Sequence, residues 1–259
     1  MSREKMGTLR WGDASNGKLS RGNTLALVRN LAFVQAREVA DAVRQRFGLL
    51  SVSDLSLDAM HAPTTPLAQD ALEHAQETHS QALLFHSWRT YYLGRFIAEQ
   101  RGIEYNNEVF FAAAILHDLG LTRDNATPLS ACCFAVQGAR QAKSFLDLCG
   151  HGGTANDKIS EAIALHLNIH VSSRVHGAEA FMLARGATCD LFGFGRRRVK
   201  KTNLIDLFDR FPREGVMDAL QFETADHLEG SRADFLTGLS GGKAPKTPFF
   251  DTLKPKGSM

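Results

Sequence analysis

The sequence predicts an all-α fold. No segment shows the sustained alternation of apolar and polar residues that is typical of a half-buried strand. Apolar residues instead recur three and four positions apart, as they do on one face of a helix, and short links marked by glycine separate these segments. Helix therefore follows helix along the chain.

The first helix is expected to begin only after a polar lead-in. Residues 1–23 are rich in Gly, Ser and Asn and have no periodicity, which predicts a flexible N-terminal arm. From Thr24 the apolar residues take helical spacing until about Gly48. Residues 53–65 predict a loop, because the segment HAPTTP (61–66) places two prolines among turn-forming residues.

Capping residues and helix-breaking residues predict where the remaining helices begin and end. Pro66 is favourable at the first position of a helix, which should run to Thr78. Further helices are expected over 81–100, from Asn106 or Asn107 to Gly120, and over 130–148, 157–170, 174–192, 203–211 and 216–239. The single all-α domain would thus cover 24–239, and the Pro/Gly/Lys-rich residues 240–259 predict a flexible C-terminal tail.

Composition narrows the classes of function. The 259-residue chain carries 30 basic and 28 acidic residues, so no strong field attracts nucleic acid or an anionic membrane. Its longest apolar run is about eight residues, against the roughly 20 that a membrane span needs. The N-terminus lacks the apolar core of a signal peptide. We therefore expect a cytoplasmic protein that acts on a small molecule.

Four residues on predicted helices are candidate metal ligands. The apolar run that ends in FAAAILHDLGLT leads directly into His117 and Asp118, while His86 lies in LLFHSWRTYY and Asp190 in ATCDLFG. Imidazole nitrogen and carboxylate oxygen are preferred ligands of zinc, iron and manganese, and two His with two Asp would leave coordination positions for water. Neighbours on a helix point about 100° apart, but a short aspartate and a longer histidine can still reach one ion beside the helix if other helices supply the remaining ligands, here His86 and Asp190. An unpaired aspartate in an apolar helix such as that of Asp190 would cost several kcal/mol, which coordination would offset.

The order of these residues resembles the H…HD…D pattern of the HD-domain superfamily of metal-dependent hydrolases. The resemblance covers about 82–194, the expected HD core. Within it, FHSWRTYYLG, AAAILHDLGLT, GARQAKSFL, EAIALHLNIH and GAEAFMLARGATCDLFG look like successive helices of the cyanamide-hydratase-like branch.

The resemblance implies a helical bundle around one buried divalent metal, with zinc or iron expected first and manganese as a third option. The metal would activate water for attack on a small electrophile such as cyanamide or a nitrile-like molecule, and Asp118 would take part in catalysis as well as in binding the metal. The superfamily also contains nucleotide phosphohydrolases, and a catalytically silent regulatory or binding HD protein is a further alternative. HD-type bundles often pair, so a homodimer is possible.

Four other residues are secondary candidates. His166 aligns with the late histidine of the branch and could transfer a proton, and His170, four positions on, would share its helix face and contact the substrate. Arg89, one turn after His86, could bind an anionic group of the substrate or form an internal salt bridge. Thr122 could hydrogen-bond the substrate or cap a turn.

Overall fold

A computed structural model describes residues 4–122, 127–220, 226–239, 243, 248–251 and 253. Within these ranges the regular elements are helices, and the strand-type pairing found there is one isolated bridge between Lys18 and Ser231. The helices are α1 (Leu9–Ser15), α2 (Arg21–Arg46), α3 (Pro66–Thr78), α4 (Gln81–Gln100), α5 (Asn107–Leu116), α6 (Phe134–Leu148), α7 (Thr154–Leu165), α8 (Ser173–His176), α9 (Ala178–Phe192), α10 (Lys201–Arg210), α11 (Val216–Ala219), α12 (Arg232–Leu239) and α13 (Pro248–Asp251). The all-α prediction is confirmed.

Helix α5 forms the centre of the bundle. Its apolar run from Val109 to Leu116 is buried at every position, which removes the distinction between an inner and an outer face. Helices α3, α4, α7 and α9 pack around it. A helix that is apolar on all sides is buried on all sides in a soluble protein, and this explains why the longest apolar run of the chain lies here.

Close backbone approaches at two glycines fix the elements that carry the site. A Cβ atom on Gly186 of α9 would lie 2.2 Å from the carbonyl oxygen of Thr90 in α4. A Cβ on Gly120, just after α5, would lie 2.1 Å from the carbonyl oxygen of Phe134 at the start of α6. Both contacts are possible only without a side chain, so glycine sets how closely α4 meets α9 and how closely the end of α5 meets α6.

The predicted flexible arm over residues 1–23 is wrong where helix forms within it. Residues 9–15 form α1, which Thr8 caps by accepting a hydrogen bond from the backbone N–H of Trp11 at 3.2 Å. Trp11 is buried, and the N–H of Leu9 donates to Glu161 of α7 at 2.7 Å. A helix of two turns is too short for periodicity to reveal it, and long-range contacts of this kind stabilise it instead.

Several predicted helix ends also differ from the observed ones. The helix expected over 174–192 breaks at Gly177, where a φ of 89° separates α8 from α9. The helix expected over 216–239 is two short helices, α11 and α12, with non-helical residues 226–231 before the second. The described part of the expected tail includes α13, where buried Phe250 packs edge-on against Phe208 of α10 at 5.0 Å. Most of 240–259 lies outside the described residues.

No helix among the described residues combines the length and the apolar character that crossing a membrane would require.

Candidate metal centre

The HD pair lies where α5 stops being a helix. His117 keeps helical dihedral angles (φ −64°, ψ −26°), whereas Asp118 has φ −104° and ψ 16°, and a 3₁₀ turn follows over Leu119–Leu121. This change of backbone conformation brings two neighbouring side chains to one point, which regular helix geometry would not allow. The predicted end of α5 at Gly120 is therefore about three residues too late, for a reason that concerns the site directly.

Three side chains meet at this point. His86 comes from α4, and its Nε2 atom is 3.3 Å from Nε2 of His117. Oδ2 of Asp118 lies 3.1 Å from Nε2 of His117 and 3.6 Å from Nε2 of His86. All three residues are buried, and one ligand atom from each lies within 4.8 Å of those of the other two.

The other nitrogen of each imidazole is already hydrogen-bonded. Nδ1 of His117 donates to the carbonyl oxygen of Ala114 at 2.8 Å, and Nδ1 of His86 donates to Oδ2 of Asp190 at 2.6 Å. Because these oxygens only accept, each Nδ1 carries the proton of the neutral ring and each Nε2 presents a lone pair to the cluster. While both rings are neutral, only acceptor atoms face one another, and a cation between them, either a proton on His117 or a metal ion, would stabilise the arrangement.

The carboxylate of Asp118 adds the negative charge. Burial would raise the pKa of Asp118, but positive charge on the neighbouring imidazoles, that of His117 first, outweighs burial and holds the pKa well below its usual range. Asp118 in turn raises the pKa of His117 against the effect of burial. Its Oδ2 atom is buried and has no hydrogen-bond partner among the described residues. A buried ionised oxygen without a donor is costly, so the residues present fit a divalent cation.

Asp190 corrects the predicted ligand set. Both of its oxygens are used away from the cluster: Oδ2 accepts from Nδ1 of His86 and from Nη2 of Arg89 at 2.9 Å, and Oδ1 accepts from Nε of Arg89 at 2.8 Å. It therefore contacts the far side of the His86 ring. A carboxylate in this position fixes the orientation of a ligand histidine and increases its basicity.

Arg89 was considered for substrate binding, and the structure shows the internal salt bridge instead. Its side chain is completely buried, and besides the two bonds to Asp190 it donates through Nη1 to the carbonyl oxygens of Phe211 at 3.2 Å and Pro212 at 2.7 Å. The side chain therefore binds the segment after α10 to α4. With its donors used in this way, it does not reach a substrate.

His166 lies on the other side of the cluster, at the end of α7. Its Nε2 is 4.0 Å from Oδ1 of Asp118, its ring stands nearly perpendicular to that of His117 at 5.2 Å, and its Nδ1 donates to the carbonyl oxygen of Ile163 at 2.7 Å. Burial and the neighbouring His117 lower the pKa of His166 to about 3. The ring is therefore neutral near pH 7 and directs a lone pair toward the cluster.

His170 does not share a face with His166. Helix α7 ends at Leu165, and Ile169 has φ 63° and ψ −47°, with the N–H of His170 donating to the carbonyl oxygen of Asn168 at 2.6 Å. This three-residue turn is rare for a β-branched residue and reverses the chain locally. His170 consequently packs against Phe33 of α2 at 4.9 Å, outside the cavity described below.

Thr122 caps a turn. Its hydroxyl donates to the carbonyl oxygen of Leu119 at 2.8 Å, and its backbone N–H donates to the same oxygen at 3.1 Å and closes the 3₁₀ turn after the HD pair. It is not among the residues that line the cavity. The next residues, 123–126, lie outside the described chain.

A cavity of about 370 Å³ opens onto the cluster. Its lining comprises Leu31, Gln35, His86, His117, Asp118, Phe134, His166, Leu167, Ile169, Ala187, Thr188, Leu191, Phe192, Phe194, Leu220, His227, Ala233, Leu236, Thr237 and Leu239. The structure thus joins residues of α2, α4, α9 and α12 around the end of α5.

Two histidines near the site were not anticipated as site residues. His227 lines the cavity but falls in a stretch predicted to be a regular helix, and no motif surrounds it. His79, which its polar helix would place in solvent, is buried at the corner between α3 and α4. Burial lowers the pKa of His79 to about 4, with Asp118 and His117 among its electrostatic neighbours. Tertiary packing places both residues, so the sequence carried no local signal for either.

Comparison with known proteins agrees with this geometry. Residues 83–211 match the model of the HD domain, a stretch that includes His86, the HD pair and Asp190. The match supports the HD superfamily and, with the observed helices, an all-α HD domain. It implies a metal-dependent function of the hydrolase type, with His86, His117 and Asp118 able to bind a metal ion. No curated protein matches the chain.

Proposed function

We propose that this protein is a metal-dependent hydrolase or hydratase that adds water to a small molecule bound in the cavity. The observation that carries the proposal is the buried convergence of Nε2 of His86, Nε2 of His117 and Oδ2 of Asp118, three atoms that can each bind a metal ion. The Nδ1 atoms of both rings point outward, toward Asp190 and Ala114, and leave the Nε2 atoms to the cluster.

His86, His117 and Asp118 would hold one divalent ion, for which zinc and iron are the first candidates and manganese the third. When bound, such an ion lowers the pKa of water toward about 7, so that a nucleophile is available at neutral pH. Three protein ligands leave room for water and substrate, as in catalytic rather than structural sites.

Other side chains of the protein would orient the ligands and transfer protons. Asp190, held by Arg89, keeps the ring of His86 in place. His166, whose Nε2 faces Oδ1 of Asp118 at 4.0 Å, would accept the proton of the attacking water and return it to the product. The predicted substrate, cyanamide or a nitrile-like molecule, suits this scheme because addition of water requires proton transfer but no leaving group.

The decisive experiment is metal analysis of protein purified without chelator. Asp118→Asn removes the charge but keeps the shape, and Asp218→Asn is its matched control on an exposed residue of α11. We expect about one ion per chain in the unaltered protein and in the control, and less than about a tenth of that in Asp118→Asn. If Asp118→Asn retains metal at full occupancy, or if the unaltered protein takes up none of the three ions, the proposal is wrong.

The alternatives are separated by activity once the metal is known. A nucleotide or phosphomonoester phosphohydrolase would act on nucleoside monophosphates or simple phosphate esters. A silent regulatory HD protein would bind the ion and act on neither class. A hydratase would act on nitriles or cyanamide and would leave phosphate esters intact.

A further inference from the structure

The wall of the cavity beside the candidate metal centre is mostly apolar. Twelve of its twenty described lining residues are Leu, Ile, Phe or Ala, and four others belong to the cluster of His86, His117, Asp118 and His166. The apolar residues come from several helices and surround the cavity: Leu31, Phe134, Leu167, Ile169, Ala187, Leu191, Phe192, Phe194, Leu220, Ala233, Leu236 and Leu239. The metal centre is thus a polar end to an apolar chamber.

Among the described lining residues there is no Lys or Arg. Two buried arginines nearby are not part of the described lining. Arg89 is bound to Asp190. Arg232 donates through Nη1 to the side chain of Asn168 at 2.9 Å and stacks over Trp11 at 5.1 Å, while its Nε and Nη2 are buried without a hydrogen-bond partner among the described residues. A phosphate ester brings a charge of about −1.5 to −2 and three strong acceptor oxygens, and sites for it normally supply arginine, lysine or a helix N-terminus. The described wall offers none of the basic side chains.

The remaining polar groups of the wall are few and neutral. The hydroxyl of Thr188 donates to the carbonyl oxygen of Ala184 within α9 at 2.7 Å, and that of Thr237 donates to the carbonyl oxygen of Ala233 within α12 at 3.0 Å. His227 has a buried Nδ1 without a partner among the described residues, and burial lowers its pKa, so it is neutral near pH 7. Gln35 is exposed on α2 at the edge of the cavity. One or two hydrogen bonds to an uncharged molecule would satisfy these groups.

The size of the chamber constrains the occupant further. A volume of about 370 Å³ has room for about a dozen groups of water size. A three-atom molecule such as cyanamide would leave most of that space unfilled and most of the apolar surface wet. Burying an apolar group there contributes about 25 cal/mol for each Å² removed from water.

We infer that the substrate is an uncharged molecule with an alkyl or aryl body of around ten carbon atoms, whose small electrophilic group lies at the metal end. This inference rests on the proposed function and narrows it to one class of substrate. For a nitrile of this kind the reaction balances without a leaving group: water oxygen bonds to the nitrile carbon, both water protons end on nitrogen after tautomerisation, and the amide is released.

The test compares two probes that share one body, 4-fluorobenzonitrile and 4-fluorophenyl phosphate. Fluorine NMR titration reports binding of each probe to the unaltered protein, both with metal and after chelation, so that the readout does not depend on turnover. We expect the nitrile to bind both forms of the protein. We expect the phosphate to bind the metal-free form at least about tenfold more weakly than the nitrile does, since desolvating a charge that has no partner is costly.

A charge-introducing variant sharpens the test. Leu191→Arg places a cation in the cavity wall, and Leu148→Arg, at a side chain that is 85% exposed, adds the same charge far from it. Leu191→Arg should lower the affinity for the nitrile and raise that for the phosphate, and Leu148→Arg should change neither. If Leu191→Arg fails to fold by circular dichroism, Leu191→Gln provides the polar change without charge, and a drop in nitrile affinity alone is then expected.

The possible failures are distinct. Equal or tighter binding of the phosphate by the metal-free protein overturns the inference and leaves the metal-dependent hydrolase proposal standing. The protein could fail to bind metal and still bind the nitrile, with Leu191→Arg abolishing that binding. This result overturns the proposed function but supports the inference that the cavity binds uncharged apolar molecules. Absence of nitrile binding in both forms of the protein also overturns the inference.

Discussion

Asp118 and Asp190 are both fully buried beside His86, yet their surroundings are opposite. Asp190 accepts hydrogen bonds from Arg89 and His86 through both oxygens. Asp118 faces the unprotonated nitrogens of His86 and His117, and its Oδ2 has no donor among the described residues. The protein itself supplies the hydrogen-bond donors of Asp190. Asp118, in contrast, has an oxygen that a bound cation would have to neutralise.

The comparison shows that burial of a carboxylate can have two different consequences within one cluster. A buried charge that has its partner organises the fold, and removing the partner is costly. A buried charge without a partner reduces stability unless a ligand supplies the opposite charge. We therefore expect changes at Asp190 to affect folding first, and changes at Asp118 to affect metal binding first.

The largest effect on stability is expected from Asp190→Asn, because it leaves the guanidinium of Arg89 buried without an anion. The free energy of unfolding should fall by about 3–5 kcal/mol, and metal affinity should weaken by about 10–100-fold because His86 loses its orienting acceptor. Urea denaturation and a metal titration measure the two effects. A stability change smaller at Asp190→Asn than at Asp118→Asn, measured without metal, would contradict the contrast between the two residues.

The second largest effect concerns the response to metal removal, which should differ between variants of Asp118 and Asp190. At a free metal concentration of a hundred times the dissociation constant, the ion stabilises the folded state by about 2.7 kcal/mol, and a chelator should remove this gain from the unaltered protein. Asp118→Asn should show the same melting temperature with and without chelator. Asp190→Asn should still respond to the ion, although at a higher concentration. A chelator-sensitive Asp118→Asn would assign the ion to other residues.

The pH dependence of the metal-free protein should reveal the buried histidines. Unfolded histidine takes up a proton below about pH 6.5, whereas the pKa values of folded His79 and His166 are lowered to about 4 and about 3. Protons therefore favour the unfolded state in this range. The stability contribution is complete above about pH 6.5 and is lost as the pH falls toward 4, by about 1.4 kcal/mol for each unit of pKa difference.

His79→Gln isolates one of these histidines. The unfolding free energy of the variant should depend less steeply on pH between about 6.5 and 4 than that of the unaltered protein. Glu38 and Glu161, whose pKa values burial raises, contribute equally to both proteins and cancel in the difference. Parallel pH curves for the two proteins would mean that His79 titrates normally in the folded state.

The smallest effect is expected from Thr122→Val, which removes the hydroxyl that bonds to Leu119. Stability should fall by about 0.5–1.5 kcal/mol, the net value of one hydrogen bond, and binding of 4-fluorobenzonitrile should stay unchanged. His170→Gln serves as a second change outside the cavity lining and should leave binding unchanged as well. A clear loss of probe affinity in Thr122→Val would restore the predicted role of Thr122 in substrate binding.

Sequence patterns alone predicted the helical class, the bounds of α3 and α4, and the three side chains that meet in the cluster, His86, His117 and Asp118. These properties are local: Pro66 begins one helix and Ser80 caps the next, and an apolar run that ends in His-Asp identifies a buried helix with polar ligands at its end. Helical periodicity and capping depend on neighbours within a few positions, which the sequence displays directly.

Tertiary packing determines which atom of each residue faces the cluster. Asp190 and His86 are 104 positions apart, and the close contact of α4 with α9 at Gly186 determines that the carboxylate meets Nδ1 rather than the metal side of the ring. The turn at Ile169 likewise separates His170 from His166. Such choices depend on packing between distant segments and on backbone angles outside the regular helix, so residue spacing alone does not carry them.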